Sequence, residues 1–292
     1  MDYNQHAGID LHVHTTASDG TLTPLEVVAH AIKLDLKALA ITDHDTLAGS
    51  RQALSNGIPA ELDFLTGVEI SAAAPSFHHQ SGSFHLLGYA IRLDDPGLNQ
   101  ALETLQAARK NRNPAIVSRL NDLGIAISLD EVREEAGEVQ LGRPHIAQML
   151  LQKGVVSSMD EAFDRFLGAG KPAYVDKYRI ACSGAIDAII GAGGIPVLAH
   201  PGLLEYESDG QLDELIGNLK QMGIRGIEVF YSQHTEDQTQ LFAELARRHK
   251  LLMTGGTDFH GSIHPEIEMG SGKGNLNIPY DLYQKLIEHH HS

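Results

Sequence analysis

Histidines and carboxylates recur along this 292-residue chain at the ends of short apolar runs. The first set is Asp10-Leu11-His12-Val13-His14, where His12 and His14 alternate along an extended segment and so point to one face. Asp19 follows in Ala17-Ser18-Asp19-Gly20, then come Thr42-Asp43-His44-Asp45, Gly67-Val68-Glu69-Ile70 and Phe84-His85-Leu86. Ala199-His200-Pro201 and Gly256-Thr257-Asp258-Phe259-His260 complete the series. Imidazole and carboxylate hold Mn, Fe and Zn, and several such sets with no partner thiolates point to a polynuclear hydrolytic site. Singly, each has an ordinary explanation: a hydrogen-bonded His-x-His, or a turn with an Asx cap at Thr42–Asp45. Glu69, His200 and Asp258 resist that explanation, because a polar group in an apolar strand is costly unless it is paired or bound to a cation.

The elements that must position these residues alternate in the first part of the chain. Residues 8–13 and 38–42 read as short apolar strands of the kind buried in a parallel sheet, and 64–70 and 84–89 continue the strand series. Between the first two, Thr23-Pro24-Leu25-Glu26 is a helix start with a capping box, and Leu25, Val28, Ala29 and Ile32 are expected to form its apolar face. From about residue 98 to 180 the pattern becomes helix after helix, with further capping boxes at Ser128–Glu131 and Ser158–Glu161. Alternation then resumes, with strands at 195–199, 226–230 and 251–254 and helices over 184–191, 211–222, 235–249 and 280–288. Roughly seven strands separated by helices fit an α/β fold, a distorted β/α barrel with its chemistry at the C-terminal strand ends. The expected organisation is a barrel from 1–97 and 181–292, interrupted by a helical insertion over 98–180. Most of the ligand candidates end an apolar run, and His85 alone is expected inside its strand.

Bulk properties narrow the partners. A formal net charge of −16 disfavours binding to long nucleic acid, because no basic surplus exists to displace counterions, yet it permits a small nucleotide beside bound cations. The single cysteine, Cys182, excludes an intrachain disulfide and fits a reducing compartment. No apolar stretch reaches the length of a membrane span and no signal segment is visible, so a soluble cytoplasmic protein is expected. The histidines of Glu288-His289-His290-His291-Ser292 are set aside from the metal argument. So are His30, beside the first helix's apolar stripe, His249 at a helix end, and His78 and His79 in a polar loop.

In this order, His12-x-His14, Thr42-Asp43-His44-Asp45, Gly67-Val68-Glu69, His85, Ala199-His200-Pro201 and Asp258-Phe259-His260 resemble the PHP (polymerase and histidinol phosphatase) family over essentially the whole chain. The resemblance implies a distorted seven-stranded β/α barrel with three divalent ions, manganese foremost, with zinc or iron as alternatives. It places one ion on His12, His14, Glu69 and Asp258, a second on Asp19, His44 and His260, and a third on Glu69, His85 and His200. Asp19 stands where other trinuclear members carry histidine. The Ser18-Asp19-Gly20 form resembles the branch of 3′,5′-nucleotide bisphosphate phosphatases and a 5′–3′ exoribonuclease of short RNA, rather than histidinol phosphate phosphatases.

Two segments of the insertion suit a phosphate. Gly142-Arg143-Pro144-His145-Ile146 sets an arginine and a histidine at the start of an apolar helix, whose amides also favour an anion. Gly170-Lys171-Pro172 offers a lysine in a constrained turn. The branch grips substrate phosphate at matching positions, which makes Arg143, His145 and Lys171 the expected phosphate binders. The expected reaction is hydrolysis of the 3′-phosphate of a 3′,5′-bisphosphonucleotide by a metal-bridging hydroxide, with Asp258 essential and His145, His234 or water protonating the leaving group. Exonucleolytic trimming of a short 5′-phosphorylated RNA is the rival, and a non-catalytic nucleotide-binding module is the other class. Filled ligand positions disfavour the module.

Overall fold

The computed structural model describes residues 8–75, 84–136, 142–176 and 178–291; the His78–His79 loop lies outside them. The chain forms two compact units, Met1–Glu103 with Arg179–Ser292 and, between them in sequence, Thr104–Tyr178. The strands are β1 (Ile9–Val13), β2 (Ala38–Ile41), β3 (Asp63–Ala73), β4 (His85–Tyr89), β5 (Ile180–Ala181), β6 (Ile195–Leu198), β7 (Gly226–Tyr231) and β8 (Leu252–Gly256). The helices are α1 (Pro24–Lys33), α2 (Ala48–Asn56), α3 (Pro96–Asp122), α4 (Leu129–Ala136), α5 (Arg143–Gln152), α6 (Met159–Ala162), α7 (Cys182–Gly191), α8 (Asp209–Met222), α9 (Glu236–Arg248) and α10 (Asp281–His290).

In the larger unit seven strands follow the order β1-β2-β3-β4-β6-β7-β8, and the two-residue β5 attaches to β3. Beyond β8 the chain returns to β1: His14 N donates to Phe259 O at 2.9 Å and Asp258 N donates to His12 O at 2.8 Å. The sheet thereby becomes a nearly closed barrel. Close approach at this seam requires Gly256, because a Cβ there would overlap the backbone and Cβ of His12. β2 and β6 read as unbroken apolar runs because both faces are covered, and every residue of β1, β2 and β6 is buried. Ile9, Leu11, Leu87, Tyr89 and Val197 pack together inside, and α10 lays Leu282 and Leu286 against them. Truncating one such side chain to alanine costs about 2–5 kcal/mol.

Three features go beyond or against the sequence reading. β1 and β2 pair in parallel as expected, but the sheet as a whole is mixed, since β4 runs antiparallel to both β3 and β6. The capping box of Thr23 and Glu26 forms, but α1 buries Val27, Val28 and Ala31 with Pro24, while Leu25 is 43% exposed and Ala29 also faces solvent. Val27 and Val28 meet the apolar backs of β1 and β2, where Leu39 and Ile41 lie, and this contact sets the helix's rotation. Finally, α2 has no side-chain cap and a mostly polar sequence, so no start signal announces it.

In the smaller unit, α4, α5, α6 and the latter part of α3 enclose a core that includes Ile116, Leu120, Val132, Ile146, Leu150 and Leu167. The expected caps form: Glu131 N binds Ser128 Oγ at 3.2 Å and Glu161 N binds Ser158 Oγ at 3.1 Å. Glu161 returns its carboxylate to Ser157 N, one residue earlier than a simple box would place it.

Candidate metal centre

The donors gather where the strands of the larger unit end. His12 is in β1 and His14 follows it, His44 follows β2, His200 follows β6, and Asp258 and His260 follow β8. Glu69 sits within β3, which continues to Ala73 instead of stopping at the carboxylate. His85 is the first residue of β4 rather than an interior one. Because β4 is antiparallel, its start lies at the same end of the barrel as the finishes of its neighbours, which explains how a residue opening a strand joins residues closing others.

Glu69 is the centre of the arrangement. Its Oε2 lies 3.5 Å from His12 Nε2, 3.3 Å from His14 Nε2 and 2.9 Å from His44 Nδ1. Its Oε1 lies 2.7 Å from His85 Nδ1 and 2.9 Å from His200 Nε2. Asp258 Oδ1 approaches His12 Nε2 at 3.3 Å and His14 Nε2 at 3.0 Å. Asp19 Oδ1 is 3.6 Å from His14 Nδ1 and 3.4 Å from His260 Nε2, and its Oδ2 is 3.7 Å from His44 Nε2. Three groups thus offer donor atoms all within 4.8 Å of one another: His12, His14, Glu69 and Asp258; His14, Asp19, His44 and His260; and His44, Glu69 and His85. The last contains His44 where the sequence reading has His200, although His200 Nε2 remains 3.3 Å from His85 Nδ1.

The donor set fits divalent ions. Among the described residues, His12 Nε2, His14 Nε2, Asp19 Oδ1, His44 Nδ1, Glu69 Oε2 and Asp258 Oδ1 are buried without a hydrogen-bond partner. One such group costs about 1–3 kcal/mol, so a convergent set of six calls for a cation. Electrostatics keeps the carboxylates ready. Burial alone would raise Glu69, yet His44, His85 and His12 hold it well below the usual carboxylate range. Burial opposes ionisation of Asp258 as well, and His12 and His14 overcome it. Burial would lower His14, but Asp258 and Glu69 push it up to about 10. His85 goes the other way, lowered to about 4 by burial that Glu69 does not offset.

Further polar residues, given no role in the sequence reading although Asp10 and Asp43 lie within its motifs, fix the site's shape. Asp43 accepts from Thr15 N at 2.8 Å and Ser18 Oγ at 2.7 Å, which holds the loop carrying Asp19. Asp10 accepts from His12 N at 3.2 Å and from Thr257 N and Gly270 N at 2.9 Å, tying β1 to the loops beyond β8. Glu228 contacts His12 Nδ1 at 2.8 Å, and Tyr231 Oη donates to Asp258 Oδ2 at 3.1 Å. A carboxylate inside the apolar run of β7 is the same signal that exposes Glu69. His264, also absent from that reading, sets its half-exposed ring edge-on to His260 with centroids 6.0 Å apart. His200 and Asp258 have φ of 23° and 58°, left-handed values that cost a non-glycine residue energy and persist only where surrounding bonds enforce them.

His234 does not serve as expected. Its Nδ1 donates to Val229 O at 3.0 Å and its Nε2 accepts from Gly202 N at 3.2 Å, with the ring packed on Tyr231 and Phe242. Both nitrogens are engaged by the main chain and burial lowers its pKa, which weighs against the expected part in protonating a leaving group. His30 stacks on Phe259 and His249 pairs with Asp213, both remote from ligand duty.

The remaining candidates belong to the smaller unit. Arg143 opens α5, donates to Leu167 O at 3.1 Å and places its guanidinium 5.8 Å from the Phe163 ring centre and 5.6 Å from that of Tyr174. His145 Nδ1 accepts from Gly142 N at 3.0 Å, which leaves its proton on Nε2. Lys171 is exposed on the turn running from Gly168 to Tyr174, closed by Lys171 N on Gly168 O and Tyr174 N on Lys171 O.

Known proteins share this architecture. The family model for the PHP domain matches residues 10–153. A 5′–3′ exoribonuclease of Haemophilus influenzae is 36% identical over 253 residues, covering 86% of this chain and 89% of its own. A 3′,5′-nucleoside bisphosphate phosphatase of Chromobacterium violaceum is 35% identical over 256 residues, 87% of each chain. A solved structure from Bifidobacterium adolescentis, assigned as a metal-dependent phosphoesterase, superposes with a TM-score of 0.74 at 32% identity, covering 97% of this chain and 96% of that one. With the ordered donors and the nearly closed barrel, these likenesses identify the chain as a member of the PHP domain family and a metal-dependent phosphoesterase.

Proposed function

We propose that the enzyme removes the 3′-phosphate of 3′,5′-bisphosphonucleotides such as adenosine 3′,5′-bisphosphate, releasing the 5′-monophosphate and inorganic phosphate in the cytoplasm. The observation that carries this reading is the gathering of three overlapping donor groups at one end of the barrel, two of them sharing Glu69, whose Oε2 faces His14 and whose Oε1 faces His85. In it, His12, His14, Glu69 and Asp258 hold one divalent ion, Asp19, His44 and His260 a second, and Glu69, His85 and His200 a third, with manganese the first choice. Bound ions would supply Lewis-acid charge and an activated water at neutral pH. The chain's own part is to fix that geometry and hold the substrate. Arg143 and Lys171, both within residues 98–180, neutralise the non-reacting phosphate. His145, with its ring proton on Nε2, donates a hydrogen bond to substrate phosphate, and water protonates the departing 3′-oxygen. The name of the Chromobacterium relative supports this substrate class. That of the Haemophilus relative supports the second reading, trimming of short 5′-phosphorylated RNA. The two substrates differ only in the group attached beyond the scissile phosphate.

The test is phosphate release from adenosine 3′,5′-bisphosphate by Mn-reconstituted protein, beside a short 5′-phosphorylated RNA at equal concentration. A higher kcat/KM on the bisphosphate, with the 5′-monophosphate as product, is expected. Nucleotide release from RNA alone moves the assignment to exoribonuclease, and turnover of neither overturns both.

A further inference from the structure

We infer that Glu228 is a positioning residue, one carboxylate that sets which nitrogen His12 offers to an ion and how the chain turns at His200. This rests on the metal assignment proposed above. Glu228 Oε1 meets His12 Nδ1 at 2.8 Å, and Oε2 accepts from His200 N at 2.7 Å. Both side chains of the His12–Glu228 pair are fully buried. The carboxylate therefore reaches from β7 to β1 and to the loop after β6, joining two donors that lie far apart in sequence.

Each bond has a separate consequence. A carboxylate facing Nδ1 keeps a proton on that nitrogen, so an ion that binds this ring takes Nε2, the atom turned to Glu69 and Asp258. The second bond anchors His200, whose φ of 23° and ψ of 63° need local enforcement and whose Nε2 is thereby directed at Glu69 Oε1. Glutamate can serve both because each oxygen accepts. A carboxamide cannot, since it has one acceptor and one donor. In Glu228→Gln, oxygen retained on His200 N turns an NH2 toward His12 Nδ1 and drives the ring proton to Nε2. The reverse orientation sets two donors against each other at His200.

The experiment compares metal-free wild type with Glu228→Gln and Glu228→Asp, measuring Zn2+ affinity and bound-ion count by equilibrium dialysis and the His12 ring 15N shifts by NMR. Glu228→Gln is expected to bind Zn2+ about 10–100-fold more weakly, the usual effect of losing a ligand's orienting partner. It should also show His12 protonated at Nε2 while the melting temperature of the metal-free protein stays near that of wild type. Glu228→Asp should keep Nδ1 protonated and recover part of the affinity, because its shorter carboxylate still accepts. Wild-type affinity and tautomer in Glu228→Gln would overturn the inference alone. A lower metal-free melting temperature with unchanged affinity would reduce Glu228 to a structural link and overturn it too. Wild type that takes up no Zn2+ or Mn2+ would overturn the metal assignment itself.

Discussion

Tyr231 donates its phenolic hydrogen to Oδ2 of Asp258, and this bond leaves Oδ1 of the same carboxylate turned toward Nε2 of both His12 and His14. Asp258 also holds a left-handed backbone, so its aim depends on that hydroxyl and on Asp258 N bound to His12 O. Tyr231→Phe keeps the ring tilted against His200 and removes only the bond. A hydrogen bond to a charged acceptor is worth about 1.5–3 kcal/mol, and losing it is expected to lower kcat about tenfold or more with little change in KM. Steady-state kinetics on fully loaded enzyme checks this, and a change confined to KM would assign Tyr231 to substrate binding instead.

Removing the ions should destabilise the larger unit. A ligand at 100 times its dissociation constant stabilises the native state by about 2.7 kcal/mol, and more than one site adds to that. For a unit of this size the corresponding fall in melting temperature on chelation is roughly 5–10 °C. Mn2+, Zn2+ or Fe2+ should restore it, whereas Ca2+, which prefers an all-oxygen shell, should not. Calorimetry with EDTA and re-addition measures it, and a melting temperature indifferent to both treatments would remove the metal from the folding equilibrium.

The donors are legible in the sequence because an ionisable group in an apolar run has few alternatives to a cation. Glu69 and Asp258 show this most clearly. Strand direction is not legible. His85 reads as an interior residue because periodicity does not reveal that β4 reverses and brings its first residue to the shared end. Glu228 carries the same signal as Glu69, yet its partner is 216 residues away, and no spacing rule connects β7 to β1. His234 misleads for a related reason: its position after β7 suits the mouth, while Val229 O and Gly202 N, both main-chain groups invisible to side-chain pattern, claim its nitrogens. The rotation of α1 depends on which valines the sheet receives, a choice made by packing alone.

If His234 is a strut, replacing it should cost stability and leave the chemistry's proton inventory untouched. His234→Phe keeps an aromatic ring against Tyr231 and Phe242 but abandons two buried main-chain groups. A loss of about 1–3 kcal/mol is expected in denaturant unfolding. The basic limb of the kcat–pH profile should stay in place, whereas its disappearance would return His234 to the role of general acid.

Cys182, buried at the start of α7, has its thiol pushed up to about 12 by burial. In the unfolded chain the thiol ionises near about 8.5. Below that pH it is neutral in both states and costs nothing. Between there and about 12 the unfolded chain releases a proton that the native protein retains, so stability falls as pH rises. Cys182→Ser should flatten that part of the stability–pH curve. In the folded wild type, iodoacetamide at pH 8 should react slowly and accelerate sharply in denaturant; fast labelling of the native protein would contradict a purely structural thiol.

The proposed grip of Arg143 on the non-reacting phosphate can be tested directly. Its guanidinium is close to both Phe163 and Tyr174 and is bonded to Leu167 O, which fixes the plane of the fork before any phosphate arrives. Lysine retains the charge but has neither the planar fork nor the stacking, so Arg143→Lys should weaken the hold on a phosphate by about tenfold, or 1.4 kcal/mol. The loss should fall on KM, with kcat within about twofold, because a contact to the non-reacting phosphate is made equally in ground and transition states. Adenosine 3′-monophosphate isolates the effect. It presents the scissile phosphate without the 5′ one, so wild type and Arg143→Lys should turn it over with the same KM. An equal penalty on both substrates would assign Arg143 to the 3′-phosphate at the reacting centre instead.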